Sequence, residues 1–281
     1  MDSFKVNLSN TVAVITGGGG VLCSAFAKEL AKNGAQVAVL DINEAAAQSV
    51  ADEINNNDGK AIGIAADCLS KESLENAYNI VRSQLGNCNL LINGAGGNNP
   101  QATTSHETMQ PEYLENTDEV SFFDLNPAAF DKVFSLNVKA AVITTQVFAR
   151  DMVKAGGNII NISSMNAFTP LTKIPAYSSA KAAVSNFTQW LAVYLAPCGI
   201  RVNAIAPGFF ITNQNYSLLI DKQGNYTPRA QKIISHTPMG RFGKPEELLG
   251  TLLWLCSDEA SGFVTGTVIP VDGGFSAYSG V

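Results

Sequence analysis

Short runs of consecutive apolar residues alternate with longer stretches in which apolar residues recur every three or four positions. Unbroken apolar runs mark strands covered on both faces, and the 3.6-residue period marks helices lying against them. Strands are expected at Thr11–Thr16, Gln36–Leu40, Lys60–Ala65, Asn89–Ile92, Asn158–Ile162, Arg201–Ile205 and Thr267–Val271. Helices are expected at Leu22–Asn33, Glu44 to about Asn56, Lys71–Leu85, Pro127 to about Lys154, Ala176–Leu195 and Pro245–Ser257. This strand–helix repeat predicts the α/β class, as one doubly wound domain with a seven-stranded parallel sheet flanked by helices on both faces.

Two stretches break the rhythm. An insertion at about 97–126 and a segment at about 208–240 are too long for plain connections, whose median is about 4–6 residues. Loops of that length usually carry function, and the second, with Gly224 and Pro228, is expected to act as a substrate lid.

Composition narrows the class further. The 281 residues are 46% hydrophobic and 15% charged, with a formal net charge of −6, which excludes a disordered or fibrous chain. The basic residues are scattered, so neither nucleic acid nor a membrane surface is an expected partner. The polar N-terminus shows no signal peptide and no apolar run reaches the ~18 residues of a span, so a cytoplasmic location is expected. The five cysteines (Cys23, Cys68, Cys88, Cys198 and Cys256) have no CxxC spacing, and the two histidines stand apart. They read as apolar fillers, and no metal site is expected.

In an open parallel sheet, ligands sit beyond the carboxyl ends of the strands. Gly17–Gly20 lie there after the first strand and open a helix, where backbone can approach a pyrophosphate and free N–H groups face its charge. The bland alternative is a tight turn. Asp41, 21 residues beyond Gly20, matches the acidic residue that accepts from an adenosine ribose. Its charge would repel a 2′-phosphate, which favours NAD(H) over NADP(H); the bland alternative is a helix cap.

Ser164, Tyr177 and Lys181 follow the fifth strand, with Tyr177 and Lys181 four apart on one helix face. An ammonium beside a phenol is expected to lower the phenol pKa and make Tyr177 an acid/base group. Alone, the pair reads equally as a surface Tyr–Lys contact.

Together these pieces resemble the short-chain dehydrogenase/reductase family, a Rossmann-like fold, from Leu8 to the C-terminus. The matches are TGGGG at Thr16–Gly20, NGAG at Asn93–Gly96, LNV around Asn137, ISS ending at Ser164, YSSAK at Tyr177–Lys181, RVNAIAPG ending at Gly208, and VTGTVIPVDGG ending at Gly274. The resemblance implies a catalytic tetrad of Asn137, Ser164, Tyr177 and Lys181. Tyr177 would exchange a proton with the substrate oxygen, Lys181 would hold the nicotinamide ribose, Ser164 would polarise the carbonyl, and Asn137 would hold a relay water. It also implies NAD(H) contacts from Gly17, Gly20, Val21, Leu22, Asp41, Ile42, Asp67, Cys68, Asn93, Ala95, Gly96, Tyr177, Lys181, Pro207, Phe210 and Thr212. One departure stands out: the family pattern TGxxxGxG places glycine at positions 21 and 23, where this chain has Val21 and Cys23.

Finer matches, including the FFDL insertion, PGFFITNQN and NISSMNAFTPLTKIPAYS, resemble the D-mannonate oxidoreductase (fructuronate reductase) subgroup. The implied reaction is reversible, NADH-dependent reduction of D-fructuronate to D-mannonate. An anionic sugar acid needs amides, hydroxyls and a cation. Asn98, Asn166, Lys173 and Arg229 are the expected substrate contacts beside Ser164, with Asn99, Thr172, Asn213 and Asn215 in the same segments. Each has the alternative of a solvated surface group. Arg241 reads as part of a structural turn, and Trp190 and Trp254 as core or interface. The family resemblance further implies a homotetramer or homodimer. Other readings are an NAD-dependent reductase of another polyol, sugar or 3-oxoacyl substrate, and an inactive NAD-binding regulator.

Overall fold

A computed structural model describes residues 5–116, 118–212 and 215–280. Seven strands form one sheet: β1 (Val12–Thr16), β2 (Gln36–Asp41), β3 (Lys60–Ala65), β4 (Leu90–Asn93), β5 (Gly157–Ile162), β6 (Ile200–Pro207) and β7 (Val268–Val271). They lie in the order β3-β2-β1-β4-β5-β6-β7, and every pairing is parallel. The chain therefore winds outward from β1 in one direction and from β4 in the other. The carboxyl ends of β1 and β4 part there, and a crevice opens between their connections.

The apolar runs explain why the sheet is covered twice. Successive side chains of a strand point to opposite faces, and β1 alternates accordingly. Ala13 and Ile15 join one core with Phe26, Leu30 and Leu252, while Val12 and Val14 join the other with Leu74, Phe148 and Leu191. The first face carries α1 (Val21–Lys32), α2 (Glu44–Asn55) and α10 (Leu249–Cys256). The second carries α3 (Lys71–Gln84), α5 (Ala140–Phe148) and α7 (Pro175–Leu195).

Strand bounds match expectation within two residues at each end, but the helix expected over Pro127–Lys154 is three pieces. α4 (Pro127–Phe134) passes through a π-helical turn at Ser135–Lys139 into α5, and a separate α6 (Met152–Ala155) follows. Asn137 explains the irregular turn: its Nδ2 donates to Val133 O and Gly97 O, both at 2.8 Å, and its Oδ1 accepts from Gly97 N at 3.2 Å. A side chain bound to backbone competes with the regular helical ladder.

The 97–126 insertion contains short 3-10 turns at Pro100–Ala102, Pro111–Leu114 and Phe122–Asp124. The 208–240 segment contains α8 (Tyr216–Leu219) and α9 (Pro228–Ser235), and α11 (Asp258–Ser261) follows α10. Asn213 lies outside the described residues. Trp190 and Trp254 are not core: they are 57% and 37% exposed. Among the described residues, no helix is long and apolar enough to cross a membrane.

Candidate active site

The first wall of the crevice is the glycine loop. Gly17 has φ +63°, the left-handed region that glycine enters without strain, and this turns the chain from β1 back toward α1. Gly20 caps α1 without a side chain, and the first bond of that helix runs from Ser24 N to Gly20 O at 2.8 Å. The N–H groups of Val21, Leu22 and Cys23 therefore face the crevice end of the helix, where an anion is stabilised. Val21 is already helical, so this site needs no glycine there. Cys23 is accommodated by its neighbour: a Cβ on Gly94 would lie 2.2 Å from Cys23 Sγ, so the thiol fills space that a side chain at 94 would take.

Asp41 ends β2 beside this loop. Its Oδ2 accepts from Gly19 N at 3.0 Å and its Oδ1 from Asn43 N at 2.9 Å. Capping of α2 falls instead to Asn43, whose Oδ1 accepts from Ala46 N. That disposes of the helix-cap alternative for Asp41. Each carboxylate oxygen keeps capacity for a hydroxyl group.

The second wall joins β4, β5 and α7. Thr16 Oγ1 accepts from Gly94 N and Ala95 N at 3.1 and 3.2 Å, so β1 holds the turn that follows β4. Asn93 differs from expectation. It is 5% exposed, and its Nδ2 donates to Asn161 Oδ1 at 2.8 Å and Thr145 Oγ1 at 3.0 Å. Asn161 Nδ2 in turn donates to Thr188 Oγ1 on α7 at 2.8 Å. Asn93 thus belongs to a buried chain that ties β4 to β5 and α7, and its side chain does not line the crevice.

Tyr177 and Lys181 stand one turn apart near the start of α7, and Ser164 follows β5. Lys181 is buried, and its Nζ donates to Ile162 O at 2.8 Å and lies 5.6 Å from the centre of the Tyr177 ring. Asn137 Oδ1 and Lys181 Nζ converge over Gly96, at 2.6 and 3.2 Å from where a Cβ there would lie. Asn137, Ser164, Tyr177 and Lys181 are therefore brought together.

The electrostatics correct one expectation. Burial pushes the Tyr177 phenol above its usual value, and a hydrogen bond with Ser164 acts the other way without reversing it. Lys181 does not lower it. Burial instead brings Lys181 itself from 10.5 down to about 8, with the nearby Cys23 acting in the opposite direction. Desolvation penalises the charged form of both groups and outweighs the opposing effects of Ser164 on Tyr177 and of Cys23 on Lys181.

These walls enclose a cleft of about 600 Å³. Gly17, Gly20, Val21, Leu22, Asp41, Ile42, Asp67, Cys68, Ala95, Gly96, Ser164, Tyr177, Lys181, Pro207, Phe210 and Thr212 all line it. Ala66, Leu136, Ile162 and Gly208 also line it and were not anticipated. The signal available was their place at or just past strand ends, or beside Asn137.

The expected substrate residues are less united. Asn166 and Lys173 line a second cavity of about 580 Å³ between the insertion and the β5–α7 connection. Asn98 is exposed and donates to Thr103 Oγ1 at 3.1 Å, while Arg229 is exposed on α9. Asn99 caps the turn at Pro100–Ala102, and Asn215 closes its own loop by accepting from Thr212 N and donating to Phe210 O. Arg241 forms a paired contact with both carboxylate oxygens of Glu247, as a structural turn requires. Among the described residues, no group of three or more His, Cys, Asp or Glu could hold a metal ion.

A family model described as enoyl-(acyl carrier protein) reductase matches residues 21–276. The chain belongs to the short-chain dehydrogenase/reductase family. A Haemophilus influenzae relative named an uncharacterized oxidoreductase is 58% identical over 98% of this chain and 96% of its own. A Bacillus subtilis relative, uncharacterized oxidoreductase UxuB, is 54% identical, with 98% of each chain covered. A solved Haemophilus structure, provisionally named a D-mannonate oxidoreductase and carrying bound NAD, superposes with a TM-score of 0.94 at 56% identity, covering 98% of each chain. The short-chain dehydrogenase/reductase architecture accounts for the crevice, and the chain is an oxidoreductase of this type.

Proposed function

We propose that the protein is an NAD(H)-dependent oxidoreductase that reversibly reduces the ketone of a sugar acid, D-fructuronate to D-mannonate. The observation that carries the reading is the single cleft joining Asp41 and the free N–H groups of α1 to Ser164, Tyr177 and Lys181. The likeness to a structure provisionally named a D-mannonate oxidoreductase supports the substrate.

The residues fit a dinucleotide. The N–H groups of Val21, Leu22 and Cys23 would take the pyrophosphate, and Asp41 the adenosine ribose hydroxyls. Lys181 is the one cation among the described residues lining the cleft, and it stands at the β5 side, away from Asp41. A 2′-phosphate beside Asp41 would meet a carboxylate with no compensating charge. When bound, the cofactor supplies the hydride for reduction and takes it in oxidation.

The chain's own groups handle the oxygen and its proton. Ser164 Oγ and Tyr177 Oη would both hydrogen-bond the substrate oxygen. A phenol whose pKa is raised stays protonated at neutral pH, so Tyr177 donates as the alkoxide forms. Lys181, held in place by Ile162 O, would bond the nicotinamide ribose. Asn137, two bonds deep in Gly97, would keep that floor rigid and hold the relay water.

The 208–240 segment would act as the lid. Assembly as a homotetramer or homodimer is supported by an apolar face on α7, where Trp190, Val193 and Tyr194 are 57%, 78% and 66% exposed. The decisive experiment is NADH oxidation by D-fructuronate. Turnover with NADH and little with NADPH is expected; no turnover on any keto-uronate would refute the substrate, and equal use of NADPH the cofactor.

A further inference from the structure

Resting on the reading that Lys181 bonds the nicotinamide ribose, we propose that Ser163 is a positioning residue, which sets α7 against the end of β5 so that the Lys181 ammonium reaches that ribose. This first serine of the ISS run has no part in the chemistry described so far. Its neighbour Ser164 is the proposed contact of the substrate oxygen, whereas the Ser163 hydroxyl turns to the helix that bears Tyr177 and Lys181.

Two adjacent residues at the end of β5 hold Lys181 at both its ends. Lys181 Nζ donates to Ile162 O at 2.8 Å, and Ser163 Oγ donates to Lys181 O at 3.2 Å. Ser163 Oγ also lies 2.7 Å from Ser185 Oγ, and Ser163 N donates to Ile205 O on β6 at 2.8 Å. A serine hydroxyl carries one proton but accepts as well. With the Ser163 proton on the Lys181 carbonyl, the shorter contact requires Ser185 to donate. The result is a directed chain from Ser185 through Ser163 to the backbone of Lys181.

That chain is one rung of a longer seam. Asn161 and Ser163 are two apart in backbone that stays paired with β6, so both point to one face, the face that α7 covers. Lys181, Ser185 and Thr188 share one face of α7 in turn. Asn161 Nδ2 donates to Thr188 Oγ1 at 2.8 Å, a second rung farther along the helix. Two rungs fix how α7 slides and turns against the sheet, and the Ser163 rung sits at the residue whose ammonium has to be aimed.

Burial makes the arrangement informative. Ser163 and Lys181 are 2% and 4% exposed. A buried hydroxyl costs free energy unless it is bonded, and alanine would fill the position without that cost. What the hydroxyl adds is a fixed backbone at Lys181. Lysine carries a long flexible stem, so an ammonium held above a loose backbone would still wander. With both ends held, the Nζ protons not given to Ile162 O keep one direction, into the cleft that Lys181 lines.

The test is a double-mutant cycle read by fluorescence titration of NADH, so it depends neither on turnover nor on the substrate. Ser163→Ala should weaken NADH about three- to tenfold. Ser185→Ala, at a half-buried position one bond farther from Lys181, should weaken it by a smaller factor. In a Lys181→Met background, Ser163→Ala should leave NADH affinity unchanged, because the group it aims is gone. Equal weakening in both backgrounds overturns the proposal, since the hydroxyl would then be a direct contact or a plain structural bond. A larger loss from Ser185→Ala than from Ser163→Ala overturns it as well. Should Ser163→Ala fail to fold, Ser185→Ala carries the same cycle. Wild-type NADH affinity in Lys181→Met refutes the ribose reading; weakening there with none from Ser163→Ala refutes the positioning role alone.

Discussion

Cys23 and Gly94 share one space: the thiol of the first helix lies 2.2 Å from the place a Cβ at 94 would occupy. Gly94→Ala should therefore overpack the crevice floor and destabilise the protein by about 1–3 kcal/mol, read by denaturant titration. Cys23→Ala should rescue that variant only in part. The carbonyl of Thr16 stands 2.7 Å from the same Cβ position and stays when the thiol is gone. Full rescue would show that the thiol alone sets the limit.

Tyr177→Phe should remove the proton donor and lower turnover by about 10²–10⁴-fold, while NADH affinity measured by fluorescence stays close to wild type. A variant that loses NADH binding as well would place the phenol in cofactor retention instead.

Lys181 makes stability depend on pH in a definite direction. Its pKa falls from 10.5 to about 8 on folding, so the unfolded chain binds the extra proton between those values. Stability from this group therefore rises as pH climbs from about 8 toward 10.5, by up to about 3 kcal/mol. Below about 8 both states carry the charge, and the burial cost is fully present. The difference in unfolding free energy between wild type and Lys181→Met should accordingly shift toward wild type across that window. A flat difference would mean that water or a neighbour relieves the buried ammonium.

Asp41→Ala should weaken NADH and admit NADPH. Two backbone contacts, from Gly19 and Asn43, also depend on this carboxylate, so the NADH loss will include some loosening of the glycine loop. The readout that isolates charge is the ratio of kcat/KM for the two cofactors, expected to move toward NADPH by about tenfold or more. An unchanged ratio would remove Asp41 as the selector.

Trp190 stacks against Tyr194 with ring centres 4.9 Å apart, and both are exposed. Trp190→Glu should lower the oligomeric state seen by light scattering, with the monomer's fold retained by circular dichroism. An unchanged mass would move the interface elsewhere.

The alternation of strand and helix was legible because burial on both faces demands continuous apolar runs, and β1, β2, β4, β5 and β6 answer to it, while the edge strands β3 and β7 are only partly buried. Asp41, Ser164, Tyr177 and Lys181 were legible for a related reason: each sits at or just past a strand or in a motif of fixed spacing. The broken helix at Asn137 was not, since the cause is a bond to Gly97, forty residues away and invisible to local periodicity. The raised Tyr177 pKa escaped for the same kind of reason. Spacing shows that Lys181 is close, but only packing shows that both groups are desolvated. The pair between Glu107, in the insertion, and Lys232, on α9, escaped as well, because a charge in an irregular polar stretch looks like any solvated charge until its partner is found 125 residues on.

The buried chain from Asn93 through Asn161 to Thr188 has a consequence for how such a protein changes. It clamps the sheet to the helix bearing Tyr177 and Lys181 without using either long loop. The reacting groups are therefore anchored in the chassis, and the parts facing the substrate are attached trim. Charge swaps at exposed positions of the insertion or the 208–240 segment would leave the proposed proton donor where it stands, whereas Gly97 and Ala102 of the insertion are tied to the floor beneath it. A lineage built on this frame can trade one substrate for another by rewriting loops, with no interval in which the chemistry itself is lost.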